Sequence, residues 1–209
     1  MGARGETAAA GMTIGLYNGY DPKQWHDIMR VTLARAAPVA AAFGCELATF
    51  GFPFEQARAR GATKTQALRT PAEVADWVVA STTIGDGGEH GREHLPGLAA
   101  ARRLHLHPFP GPAGFPPRHG RLVATTPTPD PAKAATPLQV AQALADGAPQ
   151  MVLFGLGPRG LPASVLAAAP VHLELTGRGI SLETATALGA IPAQLDAHLQ
   201  HLERRAVAR

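Results

Sequence analysis

The chain contains a single cysteine, Cys45, among 209 residues. That excludes a disulfide framework and makes a reducing compartment, the cytoplasm, the expected setting. Aromatic residues make up only 5%, and they do not alternate with basic residues as on a surface that stacks single-stranded bases. No apolar run approaches the ~20 residues that a membrane-spanning helix needs. Met1 to Gly11 lacks the apolar core of a signal peptide, and Glu6 stands where a myristoylation signal carries Ser or Thr. Charge is nearly balanced, with 19 basic and 16 acidic residues for a net +3, an excess that permits attraction to nucleic acid without requiring it. No G-x-S-x-G elbow and no H-E-x-x-H helix occurs, which removes the commonest signatures of serine and zinc hydrolases. What remains is 45% apolar and 17% charged content, the composition of a globular protein. Residues 1–11 read as a disordered tail and 12–209 as one domain.

Strand and helix signals alternate along the domain. Met12 to Tyr17 reads as a strand, and Asn18-Gly19-Tyr20-Asp21-Pro22 as a turn. A helix is expected from Lys23 to about Phe43, kinked at Pro38 and closed by Gly44, then a strand over Cys45 to Phe50. Thr70-Pro71-Ala72-Glu73 and Thr136-Pro137-Leu138-Gln139 are capping boxes with proline at the first helical position. They predict helices to about Ala80 and Gly147. Between them, residues 82–120 are rich in Gly, Pro and His and read as a long irregular stretch with a short strand at Leu104 to His107, followed by a strand over Arg121 to Thr125. Met151 to Phe154 reads as a strand, Pro162 to Ala169 as a short helix and Val171 to Leu175 as a strand. Ser181 is expected to cap a last helix that Gly189 and Pro192 interrupt. Alternation of this kind means an α/β fold, a parallel sheet covered by helices on both faces.

Gly155-Leu156-Gly157-Pro158-Arg159-Gly160 lies between a strand and a helix and formally fits the G-x-G-x-x-G loop of dinucleotide-binding folds, with Glu174 near the ribose-binding position. An NAD(P)-dependent oxidoreductase is therefore one reading, although the following helix is short and little chain remains for the rest of such a sheet. Turns that simply need positive φ are another.

Three segments taken together carry a different reading. RLVATT (Arg121 to Thr126), MVLFGLGPRGLP (Met151 to Pro162) and LELTGRGISLETATA (Leu173 to Ala187) resemble, in order and spacing, the C-terminal half of the SPOUT (α/β-knot) RNA methyltransferases. The start Gly15-Leu16-Tyr17-Asn18 is similar to that of an archaeal branch of the superfamily. The resemblance implies a C-terminal deep trefoil knot and a homodimer acting on tRNA or rRNA. It also implies an S-adenosylmethionine site at Thr125, Phe154, Gly155, Leu156, Leu175, Thr176, Gly177, Leu182 and Thr184. The catalytic candidates it suggests are Arg35, with Arg30 as second choice, and Asn18 as a substrate-orienting residue. Arg30, Arg35, Arg118 and Arg159 would guide RNA. Gly157 stands where many members carry glutamate, and Glu183 where the ribose-methylating branch carries asparagine. Base methylation, or an RNA-binding protein without turnover, therefore stays open.

Nine histidines raise the question of a metal. His90, His94, His105, His107 and His119 lie in the irregular stretch without the compact spacing of a zinc site, so solvated loop histidines, and no metal, are expected. Thr82 to Gly88 has the composition of a backbone nest for a phosphate.

Overall fold

The computed structural model describes residues 11–59, 61–81 and 92–207. The expected N-terminal tail, apart from Gly11, and the nest at 82–88 lie outside them. In chain order the elements are β1 (Met12–Asn18), α1 (Asp27–Ala42), β2 (Glu46–Phe50), α2 (Pro71–Ser81), α3 (His94–Ala100), β3 (Leu104–His107), β4 (Arg121–Thr125), β5 (Ala134–Ala135), α4 (Pro137–Ala145), β6 (Gln150–Leu156), α5 (Ala163–Ala168), β7 (Val171–Leu173) and α6 (Thr184–Val207).

The seven strands form one sheet in the order β3-β2-β1-β6-β4-β7-β5, and every pairing is parallel. A parallel sheet is buried on both faces, so its central strands are nearly all apolar. Accordingly β1 (MTIGLYN) and β6 (QMVLFGL) are buried along almost their whole length. Alternation then sorts the side chains. Ile14, Leu16, Leu47, Val123, Val152 and Phe154 face the main core with α1, α2, α3, α4 and α6. Ala48, Phe50, Leu122, Ala124, Met151 and Leu153 face the opposite side, under α5 and Phe115. Both faces are covered, but unevenly.

Both capping boxes form. Thr70 N–H donates to Glu73 Oε2 (3.0 Å) while Glu73 N–H donates to Thr70 Oγ1 (3.2 Å), and Thr136 and Gln139 do the same at α4. The irregular stretch holds more structure than expected: besides β3 it contains α3, buried through Leu95 and Leu98. The last helix also differs. It begins at Thr184 rather than after Ser181, because the Glu183 carboxylate accepts the N–H groups of Ala185 (2.9 Å) and Thr186 (3.3 Å), as an N-cap side chain does. It then runs unbroken through Gly189 and Pro192. Packing outweighs local propensity here, since Leu188, Ile191, Leu195 and Leu199 are buried in the main core. Among the described residues no helix is long and apolar enough to cross a membrane.

Cys45 is buried in the main core, and burial pushes its thiol up to about 12. Because the thiolate is the reactive form, native protein at pH 8 should resist iodoacetamide and unfolded protein should be labelled, as read by mass spectrometry.

Candidate functional site

The C-terminal ends of β4, β6 and β7 converge on a cleft of about 580 Å³, within the size range of small-molecule sites. Its floor is the 154–161 loop. One side is formed by Thr125 to Thr128 after β4, and the other by Leu173 to Leu175 and Ile180 to Thr184. Ala187 and Ile191 of α6 close the back, and Tyr20 and Ile28 reach in from the β1–α1 side.

Hydrogen bonds between loops hold these ends together. Thr125 Oγ1 donates to the Leu153 carbonyl (2.9 Å), Thr184 Oγ1 to the Gly155 carbonyl (3.0 Å), and Thr126 N–H to the Leu173 carbonyl (3.1 Å). The Thr184 bond pins the start of α6 to the end of β6. The segment leading into α6 packs against the loop after β4, where a Cβ on Gly179 would lie 3.3 Å from the Pro127 carbonyl oxygen.

Two glycines are required by close approach. A Cβ on Gly155 would stand 2.4 Å from Gly160 C and 2.5 Å from Leu161 N, so the loop doubles back on itself only because position 155 has no side chain. Gly157 adopts φ +127° and lies against the backbone of Gly19, while Gly19 N–H donates to the Leu156 carbonyl (2.6 Å). The β1–α1 turn therefore rests directly on the loop. A glutamate at 157 would be strained here, which accounts for the departure from the SPOUT pattern at that position.

Seven of the nine expected cofactor residues line the cleft: Thr125, Phe154, Gly155, Leu156, Leu175, Leu182 and Thr184. Thr176 and Gly177 instead form the adjoining turn, which is folded around Glu174. The Glu174 carboxylate accepts from Thr176 N–H (2.9 Å), Thr176 Oγ1 (2.6 Å) and Gly177 N–H. Burial raises this carboxyl's pKa, but the bonds from Thr176, Gly177 and Arg178 outweigh it and hold the group below the usual carboxylate range. Glu174 is thus occupied with its own turn and is a poor ribose ligand. Together with the six-residue α5 and a strand order unlike that of the dinucleotide fold, this removes the case for the NAD reading.

The structure separates the polar candidates. Arg159 lines the cleft. Arg35 is exposed on α1 two turns beyond Ile28, on the same stripe. Asn18 is buried and committed: its Nδ2 donates to the Gly51 carbonyl (2.9 Å) and its Oδ1 accepts from Tyr20 N–H (2.9 Å). It shapes the turn and has no free amide for a substrate. Arg30 is corrected too. It is buried, pairs with Asp27 Oδ1 at 2.8 Å and donates to the Ser81 carbonyl, so it ties α1 to the end of α2 rather than reaching RNA. Arg30→Ala is expected to lower stability by about 1–3 kcal/mol, since a charge-assisted bond from a buried guanidinium to a half-buried carbonyl is lost, measured by urea unfolding. Arg118 lies against His105 (2.9 Å), away from the cleft.

His90 lies outside the described residues, and the other loop histidines are not solvated as a group. His105 and His119 are buried, and His107 Nε2 is 2.9 Å from His119 Nε2. Burial, followed by the neighbouring His105 and His107, pushes the His119 imidazole down to about 4. Tyr20, Ile28, Ala187 and Ile191 were not foreseen as cleft residues. The helical spacing of Ala187 and Ile191 was visible, but not which pocket it would close.

Comparisons with known proteins agree with this fold. The fold is similar to TrmJ from Z. mobilis ZM4 (15% identity, TM-score 0.54, covering 89% of this chain and 69% of that one). It is also similar to a protein solved for structural insights into the 2-OH methylation of C/U34 on tRNA (19% identity, TM-score 0.52, covering 91% and 98%). Both share the SPOUT α/β architecture, as the sequence resemblance implied. At the sequence level, the uncharacterized protein MJ0224 of Methanocaldococcus jannaschii is 34% identical over 191 residues, covering 91% of this chain and 96% of that protein, which bears out the archaeal affinity. Residues 12–196 match the family described as "Protein of unknown function (DUF531)", and the chain, a parallel α/β protein of SPOUT architecture, belongs to that family.

Proposed function

We propose that this protein is an S-adenosylmethionine-dependent RNA methyltransferase whose cofactor site is the cleft at the ends of β4, β6 and β7. The observation that carries the reading is the convergence of three strand-end loops on a glycine-floored cleft, latched by the Thr184–Gly155 bond. The residues suit the cofactor. Leu156, Leu173, Leu175 and Leu182 supply apolar walls for an adenine ring, and the loops bring backbone polar groups to its edge. Glu174 and Glu183 line the same cleft and favour a ligand bearing positive charge. Thr125 and Thr184 spend their hydroxyls on the loops, so their part is to hold the cleft's shape.

S-adenosylmethionine supplies an electrophilic methyl group on a sulfonium. The protein must align an RNA nucleophile with it and assist loss of that nucleophile's proton. Arg159, at the mouth, is placed to hold a phosphate. Arg35 makes no ion pair or hydrogen bond among the described residues and is the residue we assign to the nucleophile. From a homodimer, the partner's copy of this exposed stripe would complete the cleft. Arg118 belongs to a different part of the surface and would contribute to RNA only as a distant contact.

Mass spectrometry of tRNA and rRNA nucleosides from a deletion strain tests the reading. One methylated nucleoside should disappear and return with the wild-type gene. The specific observations at Gly157 and Glu183 favour, as a second reading, an RNA-binding knot protein without turnover. It gains if the purified protein binds the cofactor while the deletion strain loses no methyl group.

A further inference from the structure

We propose that Glu46, His105 and His119 form a binding site for one divalent transition-metal ion of zinc-like coordination. The site lies on the α5 face, toward the strand starts, and is independent of the methyl-transfer reading. One ligand atom from each of the three residues lies within 4.8 Å of the others. Glu46 Oε2 is 3.0 Å from His105 Nε2 and 3.3 Å from His119 Nδ1. A tetrahedral zinc with bonds of about 2.0–2.2 Å sets its ligand atoms roughly 3.3–3.5 Å apart. The two Glu46 distances are near that spacing and the third pair lies within 4.8 Å, so the side chains need only adjust locally to seat an ion.

The donor set has the right chemistry. Two imidazoles and a carboxylate select zinc or a neighbouring transition ion over magnesium or calcium. Three protein ligands leave a fourth position for water, the pattern of an open zinc site. The ligands come from separate segments, the start of β2, β3 and the end of the 108–119 connection, so an ion would pin that connection to the sheet. His107 provides the outer contact that zinc-binding histidines usually have. With its Nε2 2.9 Å from His119 Nε2, it can accept the proton on that nitrogen and so leave the His119 Nδ1 lone pair directed at Glu46. Arg118 Nη2 stands 2.9 and 3.0 Å from the two ring nitrogens of His105. It is a competing cation on an exposed residue, which must swing into solvent as an ion enters. The alternative is a plain hydrogen-bond network in which Glu46 accepts one N–H from each imidazole.

Chelator-treated full-length protein titrated calorimetrically with zinc sulfate, and optically with cobalt(II), distinguishes the two. The expected result is one ion per chain, a rise in Tm on zinc addition, and the visible absorption of tetrahedral cobalt. Glu46→Gln should weaken zinc binding at least tenfold, and so should His119→Ala. His107→Ala should weaken it by roughly 10- to 100-fold, and Arg118→Gln should tighten it. If His119→Ala fails to fold, Glu46→Gln decides, because the Glu46 side chain is 38% exposed and its replacement is nearly isosteric. No heat and no Tm shift with wild-type protein would overturn the proposal. So would binding that persists in Glu46→Gln but is lost in a His198→Ala/His201→Ala variant of α6, which would mark adventitious surface binding.

Discussion

Gly155→Ala is expected to abolish S-adenosylmethionine binding and to destabilise the fold by about 1–3 kcal/mol, the usual cost of forcing atoms into a packed site. The added Cβ would overlap the Gly160 carbonyl carbon and the Leu161 nitrogen. Both are backbone atoms and cannot be relieved by a change of rotamer. The 155–161 loop must then open, and its opening moves the carbonyl of Gly155 away from Thr184 Oγ1, which loosens the start of α6 and the back of the cleft together. Calorimetric titration with the cofactor, paired with urea unfolding, measures both effects. Gly147→Ala is the control. Gly147, at the end of α4, has a positive φ of +80°, which Gly155 does not, but nothing lies within 4 Å of the added methyl group. It should lose some stability to backbone strain and keep cofactor binding.

Arg35→Ala should have the opposite signature. The residue is exposed and has no partner among the described residues, so stability and cofactor affinity should be unchanged. Methyl transfer to the cognate RNA should fall by about 10²- to 10⁴-fold, the usual contribution of a group that assists proton loss. Single-turnover measurements at saturating cofactor would show the loss in the transfer step. Equal rates for wild type and variant would remove Arg35 from the reaction and leave Arg159, which lines the cleft, as the candidate.

What could be read from the sequence was local. Thr70–Glu73 and Thr136–Gln139 signal their helices within four residues, and both boxes form. The glycine loops after β6 and β7 were likewise visible, and the SPOUT resemblance placed most of the cleft because its three segments keep their order and spacing. What failed depends on contacts distant in sequence. Arg30 looked like a free helix arginine because its carbonyl partner, Ser81, belongs to another helix. Asn18 looked like a substrate-orienting amide because its acceptor is the Gly51 carbonyl after β2. Helix α6 was expected to break at Gly189 and Pro192 because propensity knows nothing of the core that Leu188, Ile191 and Leu195 enter. The histidines looked scattered because parallel pairing of β2 with β3 and the return of the 108–119 connection bring Glu46, His105 and His119 together. In each case the chain supplied the residue type and tertiary structure supplied the partner.

The most direct test of the central claim is a calorimetric titration of purified wild-type protein with S-adenosylmethionine, run beside an identical titration with NAD. Saturable binding of S-adenosylmethionine, absent in Gly155→Ala, with no heat from NAD, is the predicted result. Binding of NAD but not S-adenosylmethionine would contradict it, as would S-adenosylmethionine binding that survives Gly155→Ala unchanged.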